Sequence, residues 1–169
     1  VGAIVLATGA KPYAPEKLEH LGYGKYDKVV TQATFEKMLA EGKVNGISKV
    51  GFIQCAGSRD ENHLAYCSAA CCIESMKQAI AYKEANPEGT AYVFFKDVRA
   101  NGQYENLYIR AQTDGVVFVK YEEIEEINEI DGKLAINLHD ILMGEKTEAD
   151  EFDLIVLANG MVTAAAFGE

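Results

Sequence analysis

The sequence predicts an α/β fold, a Rossmann-like three-layer ββα domain with a mostly parallel sheet. Short apolar runs that end at glycine alternate with segments of helical periodicity, which is the pattern of parallel strands joined by crossover helices. An Asp-Gly pair between two strand-like runs indicates an antiparallel insertion before the last apolar run. The 169 residues are enough for one domain of ordinary size.

The first part of the chain combines one apolar strand, a connection and a helix. Residues 3–9 form a continuous apolar run closed by glycine, which is typical of a strand buried on both faces. Residues 10–29 hold two of the three prolines and predict an irregular connection. Residues 31–42 predict a helix, with Thr31 as the N-cap and a glycine at the end.

The middle of the chain alternates strand and helix. Residues 49–55 predict a strand, and the periodicity from about 67 to 85 predicts a helix that ends at an Asn-Pro-Glu-Gly break. Residues 90–97, rich in aromatic and β-branched side chains, predict a third strand. A helix is predicted over 104–115, with Tyr104 on its apolar face.

The last part of the chain predicts four strands. Residues 116–121 form one apolar run, and the Asp-Gly pair between 122–130 and 133–140 predicts a hairpin. The isoleucines of 122–130 do not alternate cleanly, so we expect a β-bulge there. The apolar strand that ends the domain is predicted within 148–160.

Composition and charge limit the function classes. The formal net charge is -10, which disfavours nucleic acid and anionic membrane surfaces as partners. No apolar run approaches the roughly 20 residues of a membrane span. The first residues lack the features of a secretory signal, so we expect a reducing cytoplasm. The chain begins inside an apolar run, and we therefore expect it to be a piece of a longer protein.

All four cysteines fall in one short window, at Cys55, Cys67, Cys71 and Cys72. On a helix that includes Cys67, the Cys67 and Cys71 side chains share a face, and Cys72 lies about 100° further round. A long loop allows Cys55, at the end of a strand, to fold back over the helix N-terminus. The positive end of the helix dipole favours thiolates, so the four sulfur atoms are expected to converge.

Several chemistries fit four clustered thiols. They could be buried reduced cysteines with no special role, because free cysteine is often buried. They could bind structural zinc, although the adjacent Cys-Cys pair fits the usual C-x2-4-C arms poorly. They could ligate a [4Fe-4S] cluster, whose four iron corners match four thiolates one for one. A thiol–disulfide pair is a further alternative, but the chain contains no C-x-x-C.

The turn after the second strand bears on nucleotide binding. A dinucleotide-binding domain needs glycines where its first strand meets its first helix, but the chain contains no G-x-G-x-x-G, and only Gly57 lies in the expected place. Asp97 follows the next strand, where a ribose-binding acid would lie. Without the glycine turn, an ion pair between Asp97 and Arg99 is the favoured interpretation.

The cysteine segment resembles a known family. Residues 50–79, VGFIQCAGSRDENHLAYCSAACCIESMKQA, closely resemble the central segment of the heterodisulfide reductase A-subunit family, which includes the corresponding subunit of the quinone-interacting membrane-bound oxidoreductase. Further matches are at 96–102, 108–119 and 155–162, so the resemblance covers essentially the whole chain. A β-meander before the last strand also resembles the FAD/NAD(P)-binding domains of flavin disulfide reductases.

The resemblance implies an FAD- and iron–sulfur-containing oxidoreductase. It implies that the four cysteines ligate one [4Fe-4S] cluster near the flavin. It also implies that Thr8, Gly9, Gly160 and Met161 contact the FAD through the backbone. The FAD fingerprint of the family must lie before residue 1, so FAD would be held mainly by parts outside this chain. Other subunits of an electron-transfer complex are the implied partners.

The resemblance also sets the expected division of the chain. Residues 1–48 would be the tail of an FAD-binding half with its connection, 49–163 the Rossmann-like domain that carries the cysteines, and 164–169 a terminal extension. The expected role is passage of electrons between flavin and cluster, with this piece alone inactive. Two alternatives stay open: an NAD(P)-binding domain whose cysteines are not ligands, and a zinc-binding or metal-free scaffold.

Overall fold

A computed structural model describes residues 2–165. The strands are β1 (Ala10–Pro12), β2 (Val29–Thr31), β3 (Lys49–Ala56), β4 (Thr90–Phe95), β5 (Val117–Ile130), β6 (Lys133–Asp140), β7 (Glu145–Phe152), β8 (Leu154–Asn159) and β9 (Met161–Thr163). The α-helices are α1 (Gln32–Ala40), α2 (Cys71–Ala85) and α3 (Glu105–Thr113), and two 3₁₀ helices span Pro15–Leu21 and Gly102–Tyr104.

The main sheet has seven strands in the order β2-β8-β3-β4-β5-β6-β7. The pairs from β2 to β5 are parallel, and β5, β6 and β7 form an antiparallel meander. A separate two-stranded ribbon joins β1 to β9. The predicted α/β class with an antiparallel insertion is therefore confirmed.

The two faces of the sheet carry separate apolar cores. One core lies on the helical side, where Phe35 of α1 packs edge-on against Phe52 of β3 with ring centroids 5.2 Å apart. The other core joins the meander to the 3₁₀ helix through fully buried Leu18, Leu134 and Phe152. Each buried side chain of this size contributes about 2 kcal/mol, so the meander is an integral layer of the domain.

Two of the predicted helix boundaries need comment. In α1 the prediction is confirmed, because the Thr31 hydroxyl accepts a hydrogen bond from the Thr34 N–H at 3.3 Å. The predicted start of α2 near Cys67 is wrong, since the helix begins at Cys71. Ala69 has a left-handed φ of 58°, which no α-helix accommodates, so the preceding residues form a loop.

The meander follows the prediction in most respects. The register of β5 against β6 shifts between Tyr121 and Ile124 and again before Glu126, which confirms the predicted bulge. Asp131 and Gly132 both have positive φ, as a type I′ hairpin turn requires. The predicted strand within 148–160 is divided, because β7 pairs with β6 whereas β8 lies inside the parallel sheet.

The strand predicted over residues 3–9 does not form. Residues 2–9 have no regular structure, and Ile4, Val5 and Leu6 are 78%, 88% and 63% exposed. A strand buried on both faces needs hydrogen-bonded neighbours and covering layers, and the described residues supply neither. Tyr104 was also expected in the core but is 53% exposed, because it lies in the 3₁₀ turn before α3.

The predicted division into 1–48 and 49–163 is followed by no break in the sheet. β2 lies before residue 49 but pairs with β8, and α1 packs beside α2 on the same face. Of the predicted extension 164–169, residues 166–169 lie outside the described part of the chain. Across residues 2–165, no helix combines the length and the apolar character that crossing a bilayer requires.

Candidate functional site

The cysteine window lies at the carboxyl edge of the parallel sheet. Cys55 is at the end of β3, where the register against β8 shifts between Ile53 and Ala56. Cys71 and Cys72 form the first turn of α2, and Cys67 lies in the loop before it. All four are free thiols. Cys67 and Cys71 therefore do not share a helix face as predicted, although both border the same helix N-terminus.

The backbone of this window is strained. Five non-glycine residues have positive φ, and three of them, Cys55, Arg59 and Ala69, lie here. A left-handed conformation costs roughly 1 kcal/mol or more for a residue with a Cβ. Strain of this kind persists only where surrounding contacts impose it, and it is concentrated at functional sites.

Internal hydrogen bonds fix the loop between Cys55 and Cys67. The Arg59 N–H donates to the Tyr66 carbonyl at 3.1 Å, and the Leu64 N–H donates to the Gly57 carbonyl at 3.1 Å. The Ser68 hydroxyl accepts from the Met161 N–H at 2.7 Å, which ties the loop to β9. The loop is thus a built structure that packs over the ends of β3 and β8.

Burial controls the thiols. Burial and then the neighbouring cysteines raise the pKa of Cys71 to about 12. Burial also raises the pKa of Cys55, opposed by the positive charge of Arg59. The pKa of Cys72 is raised by burial against a hydrogen bond from the Arg99 backbone. In the absence of a bound cation these three side chains are therefore protonated at neutral pH.

The four thiols share one electrostatic neighbourhood. Negative charge on Cys67 and Cys72 raises the pKa of Cys55, and the pKa of Cys71 is raised by charge on all three other cysteines. Two sulfur atoms are turned to carbonyls: Cys71 Sγ is 3.6 Å from Asn159 O, and Cys72 Sγ is 3.7 Å from Asp97 O. Within residues 2–165, no three His, Cys, Asp or Glu side chains are arranged to hold a metal ion.

Arg59 links the cysteine loop to the end of β4. Its Nη2 atom lies 2.8 Å from Asp97 Oδ2, and its positive charge and a side-chain hydrogen bond act on Cys55. The expected Asp97–Arg99 pair is wrong, because the strained loop places Arg59 nearer. The Nη1 atom of Arg59 and both amide atoms of Gln54 are buried without a hydrogen-bond partner among the described residues.

The loop fills the crevice that a dinucleotide would occupy. Asp97, at the position of a ribose-binding acid, is engaged by Arg59. A Cβ on Gly160 would clash with Ser58 Oγ and lie 2.8 Å from Leu64 Cδ1, so the loop touches the end of β8 directly. A pyrophosphate needs free backbone N–H groups at this edge, and the loop takes that space.

A tyrosine–histidine group that sequence reasoning did not single out holds the far side of the loop. Tyr13 Oη lies 3.0 Å from His63 Nδ1, and His20 stacks on His63 with ring centroids 5.1 Å apart. Partial burial and the neighbouring His63 lower the pKa of His20. These histidines border a cavity of about 440 Å³ that Cys55 also lines. The one local signal for this group is a histidine inside the cysteine window.

The predicted FAD contacts fall at the β1–β9 ribbon. Thr8 and Gly9 lie in the exposed segment before β1, and the Gly9 carbonyl accepts from the Ala164 N–H. The Gly160 carbonyl accepts from Tyr13 N–H at 2.7 Å, and the Met161 carbonyl accepts from the Tyr66 hydroxyl at 3.0 Å. The backbone of Gly160 and Met161 is therefore already bonded within the chain.

The Met161 side chain borders a second cavity, of about 470 Å³, between α1, α2 and the ribbon. Cys71 and Asn159 line the same cavity, which places an apolar recess beside the cysteine window. The remaining lining residues are Pro12, Gln32, Ala33, Glu36, Lys37, Ala70 and Glu74.

Curated proteins match almost the whole chain. The first of two A subunits of the iron-sulfur CoB--CoM heterodisulfide reductase of Methanopyrus kandleri is 39% identical over 180 residues, covering 96% of this chain and 27% of that protein. The A subunit of the H(2):CoB-CoM heterodisulfide,ferredoxin reductase of Methanothermobacter marburgensis is 38% identical, with the same two coverages. Over this stretch the chain belongs to the heterodisulfide reductase A-subunit family. It spans about a quarter of the length of these relatives, and no family model matches it.

Solved structures confirm the fold at low identity. Thioredoxin reductase of T. acidophilum superposes with a TM-score of 0.59 at 13% identity, covering 94% of this chain and 44% of that chain. The flavoprotein disulfide reductase RclA of Escherichia coli, as its Cu(II) complex, gives 0.54 at 14% identity, covering 95% and 30%. The A-subunit family thus has, in this region, the Rossmann-like fold of flavin disulfide reductases.

Proposed function

We propose that this chain is the electron-transfer region of an FAD-dependent oxidoreductase of the heterodisulfide reductase type, in which Cys55, Cys67, Cys71 and Cys72 ligate one [4Fe-4S] cluster. The observation that carries the proposal is the gathering of all four free thiols at one helix N-terminus, beside a crevice that the loop closes to dinucleotides. A [4Fe-4S] cluster exchanges one electron at a time.

The residues fit the cluster in chemistry and place. Four thiols within mutual electrostatic range match its four corners. Their raised pKa values describe protonated side chains, and ligation by a cation would displace those protons. Gathering the sulfur atoms requires Cys71 and Cys72 to turn away from the carbonyls of Asn159 and Asp97, which is a side-chain rotation rather than a change of fold.

The surrounding side chains would control the potential and exclude water. Arg59 places a positive charge beside Cys55, and positive charge favours the reduced form of an anionic centre. The α2 N-terminus adds uncapped backbone N–H groups, because Ala70 provides no side-chain cap. The unpartnered amide of Gln54, next to Cys55, is a further candidate donor to a ligating sulfur atom.

FAD would be held mainly by parts of the protein outside this chain. Within the chain, the exposed Thr8 and Gly9 and the side chain of Met161 are the proposed contacts. The cavity beside Cys71 is apolar and open to the ribbon, which suits an aromatic ring system near the thiols. The names of the relatives support an iron–sulfur protein, and the other members of such a complex, in the cytoplasm, are the proposed partners.

The alternatives fit the structure less well. A nicotinamide dinucleotide would need the crevice that Ser58, Leu64 and the Arg59–Asp97 pair fill. A zinc scaffold would need thiolates paired as C-x2-4-C arms, and the adjacent Cys71 and Cys72 do not provide them. A metal-free scaffold leaves the strained backbone of the window without a purpose.

Anaerobic purification of the full-length protein tests the proposal by difference. Each cysteine is replaced singly by serine, and Ala65→Ser, on the exposed tip of the same loop, is the control. Each Cys→Ser variant should lose about four irons and four sulfides per chain relative to the control. Zinc in place of iron, or iron content unchanged by all four replacements, contradicts the proposal. Thermal stabilisation by NADH or NADPH would support the dinucleotide alternative.

A further inference from the structure

The negative charge of the chain is concentrated in the meander. Residues 121–152, called here the acidic meander, contain eleven Asp and Glu against two Lys, a balance of −9 out of the total of −10. The other 137 residues are therefore nearly neutral. Only part of this charge is offset by neighbours, since Glu125 pairs with Lys146 and Glu122 lies 2.8 Å from His139. Glu123 and Glu126 are exposed, and no ion pair is found for them within residues 2–165.

An apolar knob stands at one end of this charged surface. The turn between β6 and β7 presents Ile141, Leu142 and Met143, called here the apolar tip, which are 44%, 79% and 66% exposed. Single exposed apolar residues are ordinary, but three in succession on a turn are not. The three side chains belong to neither apolar core of the described domain, so its folding does not account for them.

The apolar tip is held in a defined conformation. The Asp140 carboxylate accepts hydrogen bonds from the N–H groups of Leu142 at 2.7 Å and Met143 at 3.1 Å. The Gly144 N–H donates to the Asp140 carbonyl at 2.9 Å, and the Ile141 N–H donates to the Lys120 carbonyl. A turn fixed in this way presents its side chains without the entropy cost of ordering them on binding.

We propose that the apolar tip and the acidic meander together form a docking surface for a protein partner that has an apolar pocket surrounded by lysine and arginine. An apolar anchor within a charged rim is the usual anatomy of a protein interface. The charge selects the partner class, because acidic surfaces are repelled by lipid headgroups and nucleic acid phosphates and attracted to basic proteins. A second copy of the chain would present the same negative charge and is disfavoured for that reason.

The test uses the full-length protein, alone and in the complex that purifies with it. Hydrogen–deuterium exchange should show residues 140–146 exposed in the isolated protein and protected in the complex. A zero-length carbodiimide reagent, which joins carboxylates to lysines, should link meander glutamates to lysines of the partner protein. Protection of the apolar tip already in the isolated protein overturns the proposal, as do links only to a second copy.

Two pairs of variants separate the apolar and the charged contributions. Leu142→Ser/Met143→Ser should raise the Kd for the purified partner protein by about 10-fold or more, whereas Ile130→Ser, an exposed residue at the other end of β5, should not. Glu123→Gln/Glu126→Gln should weaken binding mainly at low salt, whereas Glu19→Gln/Glu88→Gln, which removes equal charge elsewhere, should leave it unchanged. Unchanged binding in the meander variants overturns the proposal, and unchanged iron content keeps this outcome separate from that of the proposed function.

Discussion

The Arg59 guanidinium lies 2.8 Å from the Asp97 carboxylate, and this pair joins the cysteine loop to the end of the neighbouring strand. Arg59 itself has a left-handed backbone, so the pair holds a residue that sequence preference alone would not place there. The ion pair is partly open to solvent, with side-chain exposures of 26% and 51%. Its effect should therefore be on loop order more than on global stability.

Replacing Asp97 with Asn should loosen the loop. We expect backbone hydrogen exchange of residues 57–66 to become faster, while the free energy of unfolding falls by less than about 1 kcal/mol. Glu84→Gln is a matched control, because it breaks another exposed arginine pair, with Arg110, away from the loop. Equal exchange of 57–66 in the two variants would show that the Arg59–Asp97 pair does not order the loop.

Local patterns predicted the cysteine site but not its geometry. The spacing of Cys55, Cys71 and Cys72 placed them at a strand end and a helix start, because each element is encoded by its own apolar periodicity. The loop between them depends on contacts distant in sequence, such as the Tyr66 hydroxyl with the Met161 carbonyl. Left-handed φ angles at Arg59 and other non-glycine residues follow from those contacts and carry no local signal.

The run at residues 3–9 shows the same limit from the other side. Its composition is that of a buried strand, yet Ile4, Val5 and Leu6 are exposed. Apolar periodicity reports what a segment can bury, and the burial itself depends on partners elsewhere. The meander was predicted better, because its hairpin at Asp131-Gly132 is encoded by two adjacent residues.

Gly160 should not tolerate alanine. A Cβ there would clash with Ser58 Oγ and lie 2.8 Å from Leu64 Cδ1, so the cysteine loop must move. We expect Gly160→Ala to lower the free energy of unfolding by about 2 kcal/mol in urea denaturation. Adding Ser58→Ala should recover part of this loss, because it removes the nearest clashing atom.

Gly2→Ala is the reference for that experiment, because no heavy atom lies within 4 Å of the added Cβ. It should change stability by less than about 0.5 kcal/mol. Additive effects of Gly160→Ala and Ser58→Ala would mean that the loop does not pack on the end of β8 as described.

The hydrogen bond between Tyr13 and His63 should couple the loop to the segment before the 3₁₀ helix. Tyr13→Phe keeps the ring, which packs against Gly57, but removes the hydroxyl that lies 3.0 Å from His63 Nδ1. We expect Tyr13→Phe and His63→Ala each to cost about 1 kcal/mol, and the double variant to cost clearly less than their sum. A double-mutant cycle in urea measures the coupling, and a coupling energy of zero would contradict the contact.

Asp153 should make stability depend on pH. Burial alone would raise its pKa, but hydrogen bonds from Lys133 and from the backbone N–H groups of Lys49 and Ser48 outweigh burial and hold the pKa below its usual value. The Ser48 and Lys49 N–H groups lie 2.8 and 3.0 Å from Asp153 Oδ2. A carboxyl group with a depressed pKa stabilises the fold above its unfolded pKa of about 3.9 and loses that contribution as the pH falls through the folded value.

We therefore expect Asp153→Ala to lower the free energy of unfolding by about 2 kcal/mol at pH 7. The difference from the unmodified chain should shrink below about pH 4, where the carboxyl group of the unmodified chain becomes protonated. Asp153→Asn should fall between the two, because an amide oxygen still accepts from a backbone N–H but cannot pair with Lys133. Exposed Asp27→Asn is the control and should be close to neutral. If the deficit of Asp153→Ala in urea denaturation were the same at pH 7 and pH 3, the carboxylate would not be the stabilising group, since protonation would have removed it.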